Sequence, residues 1–236
     1  MTKFDLTKTR VLEALFAVPR EGRDEQWRQR FLAAAPDATL AAFDPQVERG
    51  PDGFPYFQLA MPDTGPVTAF CISHVLDFCL DNGLGIAVFG NVRRADPPEW
   101  VFTYGNLLSY SVHGNFDCDP AEPASPGGPR SITTTETHEM LIAGPSETYL
   151  PACARKAIGS FLGDAFGHPD PRVALVFDPK LEPPRYLMVN LTLEHYGGDR
   201  EKLRAALQYL SWFLPGNYSL MSMPAGWTAD NFVPLA

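Results

Sequence analysis

The sequence predicts an α+β protein built as two pseudo-repeated α-β-β-α-β lobes with mainly antiparallel sheets. Three observations carry that prediction. Runs with a period of two alternate with apolar stripes of helical spacing. The same order of elements occurs twice, at offsets of 130 to 134 residues. Between the copies, residues 117–131 (DCDPAEPASPGGPRS) replace every periodic pattern with proline, glycine and small residues. The organisation that follows is a first lobe over 1–116, a linker or long loop over 117–131 and a second lobe over 132–236.

In the first lobe, a helix over 24–35 has Trp27, Phe31 and Leu32 on one side. A short apolar strand over 39–42 follows, and Phe43-Asp44-Pro45 closes it, because proline cannot donate to a ladder. The turn residues Gly50-Pro51-Asp52-Gly53 lead into an extended run over 56–61, which predicts a hairpin. A helix over 67–80 carries Phe70, Val75, Leu76, Cys79 and Leu80 and stops at Asn82-Gly83, and a strand over 85–89 ends the unit. Segments 100–102, 107–116 and 132–142 are expected to extend the sheets, since Thr133 to His138 is rich in β-branched residues.

The second lobe repeats the order. A helix over 149–162 presents Leu150, Ala154, Ile158, Phe161 and Leu162, and a strand over 173–176 is closed by Phe177-Asp178-Pro179, the counterpart of Phe43-Asp44-Pro45. Over 186–193, Leu187, Val189, Leu191 and Leu193 alternate with Tyr186, Met188, Asn190 and Thr192, which predicts a strand with one face on a core. Asp199 is the expected N-cap of a helix striped by Leu203, Ala206, Leu207, Leu210 and Leu214 and ended by Pro215-Gly216. A strand over 218–223 completes the repeat.

Composition narrows the functional classes. Among 236 residues, 19 Lys and Arg face 28 Asp and Glu, so the net charge is 19 − 28 = −9, a poor match to a phosphate backbone. Nucleic acid is therefore not an expected partner. No apolar run reaches the roughly 20 residues of a spanning helix, and the start of the chain lacks the apolar core of a signal peptide, so a soluble, cytoplasmic protein with no membrane contact is expected. Cys71, Cys79, Cys118 and Cys153 form no C-x-x-C pair and are expected as free thiols.

Two clusters have residue types that suit chemistry. Cys71, His74 and Asp77 lie three apart on one predicted helix, yet a catalytic thiol and its base normally come from separate elements, and packing is the expected role. His113 precedes the linker, Asp117 and Asp119 lie at its start, and Glu136, His138 and Glu139 follow it; these donors suit zinc, iron or manganese if the stretches meet. The candidate metal ligands are His113, Asp117, Asp119 and His138, with His113 in a turn, although no H-E-x-x-H spacing accompanies them. The glycines at 83, 85 and 90 follow a helix and precede a strand, the reverse of a phosphate loop, and Gly159-Ser160 lies within a helical pattern rather than at a nucleophile elbow. The aromatics of 100–110 (WVFTYGNLLSY) are expected in the core, whereas Tyr209 and Trp212 stand off the stripe of their helix and are the candidate partner-binding residues.

The segments MLIAGPSETYLPACARKAIGSFL, RVALVFDP, PRYLMVNLTL, REKLRAALQYL and YSLMSM, within residues 140–224, resemble the C-terminal domain of the enhanced serine sensitivity (SseB-like) family. The resemblance implies a two-domain architecture, in which the first half fills the N-terminal role, and an interaction-type role with no catalytic motif. It transfers no site residues.

The expected function is a non-enzymatic protein-binding or adaptor module, with a partner protein, no cofactor and no catalytic residues assigned. The alternative is a metal-assisted hydrolase that holds a divalent metal between the lobes through His113, Asp117 or Asp119, and His138. A third reading is a homo-oligomer joined through open sheet edges.

Overall fold

The structure is a computed structural model that describes residues 5–63, 68–92, 96–117 and 140–235. The chain divides into two compact units, Met1–Leu107 and Leu108–Ala236. Among the described residues no helix is long and apolar enough to cross a membrane.

The first unit begins with helix α1 (Leu6–Phe16), which Asp5 caps by accepting the N–H groups of Thr7 and Lys8, and continues with α2 (Glu25–Ala34), capped by Asp24. Strands β1 (Leu40–Arg49) and β2 (Pro55–Ala60) form the expected hairpin, β3 (Ala69–Phe70) follows, and α3 (Ile72–Asp81) carries the chain to β4 (Gly85–Phe89) and β5 (Trp100–Phe102). The sheet order is β3-β1-β2-β4-β5, with β2 and β4 parallel and every other pair antiparallel. Strand β2 is buried on both faces, as a central strand flanked by helices and aromatics must be.

At the hairpin, Asp52 accepts the Phe54 N–H at 3.1 Å and the Tyr56 hydroxyl at 2.5 Å. The Tyr56 ring lies against two glycines. A Cβ at Gly50 would meet it at 2.8 Å and one at Gly85 at 2.6 Å, so the parallel pair Tyr56 and Gly85 closes only because Gly85 has no side chain.

The second unit follows the same plan. Strand β6 (Leu141–Ala143) precedes helix α5 (Ala152–Phe166), hairpin β7 (Arg172–Phe177) and β8 (Arg185–Val189), helix α6 (Arg200–Ser211), and strands β9 (Leu220–Ser222) and β10 (Val233–Pro234). Here β7 and β8 are antiparallel and β8 and β9 parallel, so the order α-β-β-α-β and its pairing recur. Strand β10 joins the start of β7 as β3 joins the start of β1, although the two come from different places in the chain.

Four expectations need correction. Strand β1 does not stop at Asp44-Pro45 but runs on to Arg49 through a bulge between Ala42 and Val47, which takes the proline out of the ladder; β7 does end before Asp178-Pro179. The matched Phe-Asp-Pro triplets thus differ locally: the first lies within β1, whereas the second begins at the last residue of β7. Residues 107–116 form no strand: α4 (Tyr104–His113) covers most of them, started by Thr103 and Asn106, which exchange side-chain to backbone hydrogen bonds at 2.9 and 3.2 Å. Residues 69–70 belong to a strand instead of the first turn of α3.

Finally, β8 is buried on both faces and ends at Val189. Its Tyr186 and Met188 pack with Ala174, Val176 and Phe232, and Met221 and Trp227 lie against this cluster. Val173, Leu187 and Val189 occupy the opposite face and are buried too. The strand stops because Asn190 turns its side chain back, accepting the Arg172 N–H at 2.7 Å and donating to the Asp170 carbonyl at 2.8 Å. Most of segment 132–142 lies outside the described residues.

The end of the chain rests on α5. A Cβ at Gly159 would stand 2.2 Å from the Leu235 carbonyl oxygen, whereas one at Gly163 meets nothing closer than 4.0 Å. Gly159→Ala should destabilise the protein by about 1–3 kcal/mol through overpacking. Gly163→Ala should be neutral or stabilise by about 0.5–1 kcal/mol through helix propensity. Urea unfolding of the two variants checks this, and equal losses would contradict the close approach.

Candidate functional site

A cleft of the first unit is built at the start of α2. Residues Arg20–Gly22 form a 3-10 turn, Arg23 follows it, and Asp24 caps α2 by accepting the Trp27 N–H at 2.8 Å. One helical turn then places Glu25 and Arg28 on the rim. Glu99 and Trp100, at the entry to β5, form the other wall of an open cleft of about 370 Å³.

Trp27 and Trp100 make its apolar surface, with ring centroids 5.9 Å apart, and both pack on Phe31. Trp27 is fixed by its indole N–H, which donates to the Leu15 carbonyl at 2.8 Å. The Arg23 guanidinium lies 4.7 Å from the centre of the Trp27 ring, donates to the Val18 carbonyl at 3.1 Å and pairs with Glu99 at 2.6 Å. Arg20 donates to the carbonyls of Pro97 and Pro98 at 3.2 and 3.1 Å.

Three arginines face three carboxylates, so the lining is balanced at 3 − 3 = 0. The Arg23 and Glu99 side chains are only 12% and 17% exposed, which makes this pair a structural tie; Arg28 and Glu25, at 39% and 62%, face solvent. The lining contains no thiol, hydroxyl or imidazole. What it offers is indole surface, guanidinium donors and carboxylate acceptors, which suits recognition better than covalent chemistry.

The residues expected from sequence fall elsewhere. His113 is exposed and is the last residue of α4, not a turn residue; Asp117 is half-buried, and its N–H donates to the Asn115 side chain at 3.2 Å. Asp119 and His138, with Glu136 and Glu139, lie outside the described residues. Among the described residues no group of three or more His, Cys, Asp or Glu side chains is arranged to hold a metal ion.

The Cys71, His74 and Asp77 series does not assemble. Cys71 is the N-cap of α3 and fully buried, while His74 and Asp77 are exposed. Burial raises the Cys71 thiol above its ordinary pKa, with Asp37 adding to the effect, and burial pushes Cys79 up to about 12. The aromatics of 100–110 do enter the core: Phe102 and Tyr104 are fully buried, and the Tyr104 hydroxyl donates to the Leu80 carbonyl at 3.1 Å.

Of the two candidate partner residues, Tyr209 is 45% exposed but Trp212 is 8% exposed. Trp212 lies just beyond the last turn of α6, where it packs edge-on to Phe213 at 4.8 Å and turns inward. An exposed Trp212 is thus corrected to a buried one. Tyr209 has Phe161 and Phe166 as neighbours, each at 6.4 Å.

The cleft escaped sequence reasoning because its walls lie some 75 residues apart, as the Arg23 to Glu99 pair shows. The local signal was the arginine series 20, 23 and 28 around an N-cap aspartate. No protein-family pattern, curated protein sequence or solved structure matches the chain.

Breaking the Arg23–Glu99 tie by Glu99→Gln should cost about 1–3 kcal/mol, since it removes a charged hydrogen bond from a mostly buried arginine. The loss should change little with added salt, and urea unfolding at low and high salt checks it. In a second experiment, brief iodoacetamide treatment at mildly alkaline pH should alkylate Cys153, which is half-buried, before Cys71 and Cys79. Peptide mapping reads the order, and early modification of Cys79 would contradict its burial.

Proposed function

We propose that the chain is a non-enzymatic protein-binding module that receives a segment of a partner protein at the arginine and tryptophan cleft of its first unit. One observation carries the reading. The cleft combines two indoles with exposed guanidinium and carboxylate groups and lacks a nucleophile. Tryptophan and arginine are enriched at protein interfaces, where they anchor binding in small desolvated pockets. A volume of about 370 Å³ lies at the lower end of ligand clefts, so it accommodates one or two anchoring side chains instead of a cofactor.

The balance of charge favours a partner segment that carries both an acidic residue, for Arg20 or Arg28, and an apolar or basic one, for the indoles or Glu25. The resemblance of residues 140–224 to the SseB-like family, which implies an interaction role without catalysis, supports the same class of function.

Native mass spectrometry of the protein captured gently from its own host should show a second polypeptide at fixed ratio. Arg28→Glu reverses an exposed rim charge and should weaken that complex at least tenfold, about 1.4 kcal/mol, without unfolding the protein. An unchanged complex in this variant would remove the cleft as the docking site. A bound metal or metabolite in place of a polypeptide would overturn the function.

A further inference from the structure

Two histidines of the second unit face each other, one from the connection between α5 and β7 and the other from that between β8 and α6. His168 follows Gly167 at the end of α5, and His195 sits in the 3-10 turn Leu193–Tyr196. Their ring centroids are 4.8 Å apart. The His168 Nδ1 accepts the Asp170 N–H at 3.3 Å, and the His195 Nδ1 accepts the Thr192 N–H at 3.0 Å and lies 3.0 Å from the Thr192 hydroxyl.

A ring nitrogen that accepts an N–H carries no proton, so each neutral imidazole bears its hydrogen on Nε2. That tautomer disqualifies the pair as ligands through Nε2, because the lone pair a metal needs is occupied by a proton. It fits a different role. We infer that the His168 and His195 pair is an acid-sensitive latch that holds the Leu193–Tyr196 turn closed while the His168 ring is neutral and releases it when that ring takes up a proton.

A proton from solvent adds to the Nδ1 lone pair of His168. The N–H group of Asp170 then meets a donor where it had an acceptor, and the buried cation is driven toward water, away from the His195 ring whose capping box starts the turn. His168 is 8% exposed, so its charged form is poorly solvated there. The groups that favour charge are the Asp170 carboxylate, which Arg172 already engages at 2.8 Å, and the Asn190 carbonyl; Glu194 is exposed, and the Asp199 carboxylate caps α6. Burial outweighs them and holds His168 below the ordinary histidine range, with His195 acting in the same direction. The sign follows: a folded-state pKa below the unfolded value of about 6.5 means that the stabilisation is present above that value and is lost as pH falls.

Gly197 and Gly198 both adopt positive φ, at 62° and 84°, and glycine also accepts negative φ without strain, so a change of turn conformation costs little backbone energy there. The Tyr196 hydroxyl, buried without a partner in the closed turn, reaches water on release, which offsets part of the cost of opening.

Nitrogen-15 NMR of the imidazoles near pH 7.5 should show both rings as Nε2–H tautomers. Amide exchange, corrected for its intrinsic pH dependence, should accelerate at least about tenfold at Thr192, His195, Gly197 and Gly198 between about pH 7.5 and 5.5, with β8 and α6 still protected. His168→Asn keeps an acceptor for the Asp170 N–H but cannot titrate; its turn should change less than about twofold over the same range. An Nδ1–H tautomer on His168, acid-independent protection of the turn in the unaltered protein, or a His168→Asn protein as acid-sensitive as its parent would each overturn the latch. The first two readouts need no variant and decide the matter if the substitution perturbs folding.

Discussion

In both units, a strand that follows a helix is laid parallel to the second strand of a hairpin, and the rest of each unit is arranged around that pairing. A turn of a few residues can only return a strand antiparallel to its neighbour, as at β1 and β2 or β7 and β8. Placing β4 beside β2, or β9 beside β8, requires a helix to carry the chain back across the sheet. The amphipathic stripes of α3 and α6 meet this requirement, since they lie along the sheet and bury one face there.

Strands β2 and β8 each pair on both sides and are also covered on both faces. In the first unit this leaves no room beside Tyr56 except over glycine. In the second, the segment from Met221 to Phe232 folds over Tyr186 and Met188, and Leu235 then fits against the bare backbone of Gly159. These contacts are local consequences of a sheet that must be closed on a second side by whatever chain remains.

The two features given functional weight lie outside those cores. The cleft sits where α2 begins, so capping by Asp24 sets the positions of Arg23 and Arg28, while the Trp27 ring belongs half to the core and half to the cleft. The histidine pair sits where β8 ends and a short capped turn leads to α6. Both occupy element boundaries, where side chains satisfy backbone groups that regular structure leaves open.

By itself the sequence determined the class, the two-fold order of elements and most of their positions, because those follow from local periodicity, caps such as Asp24 and Asp199, and turns such as Gly50 to Gly53. It misled wherever one signal has two structural outcomes. Asp44-Pro45 ends a strand or makes a bulge, and Leu107 to Phe116 has the apolar content of a strand but the Thr103 and Asn106 box of a helix. Tertiary structure alone decided that β8 is covered on its second face, that Trp212 turns inward while Tyr209 stays out, and that Arg23 meets Glu99 and His168 meets His195. The physical reason is that burial and pairing depend on which distant segment arrives at a surface, and no period within a single element records that arrival.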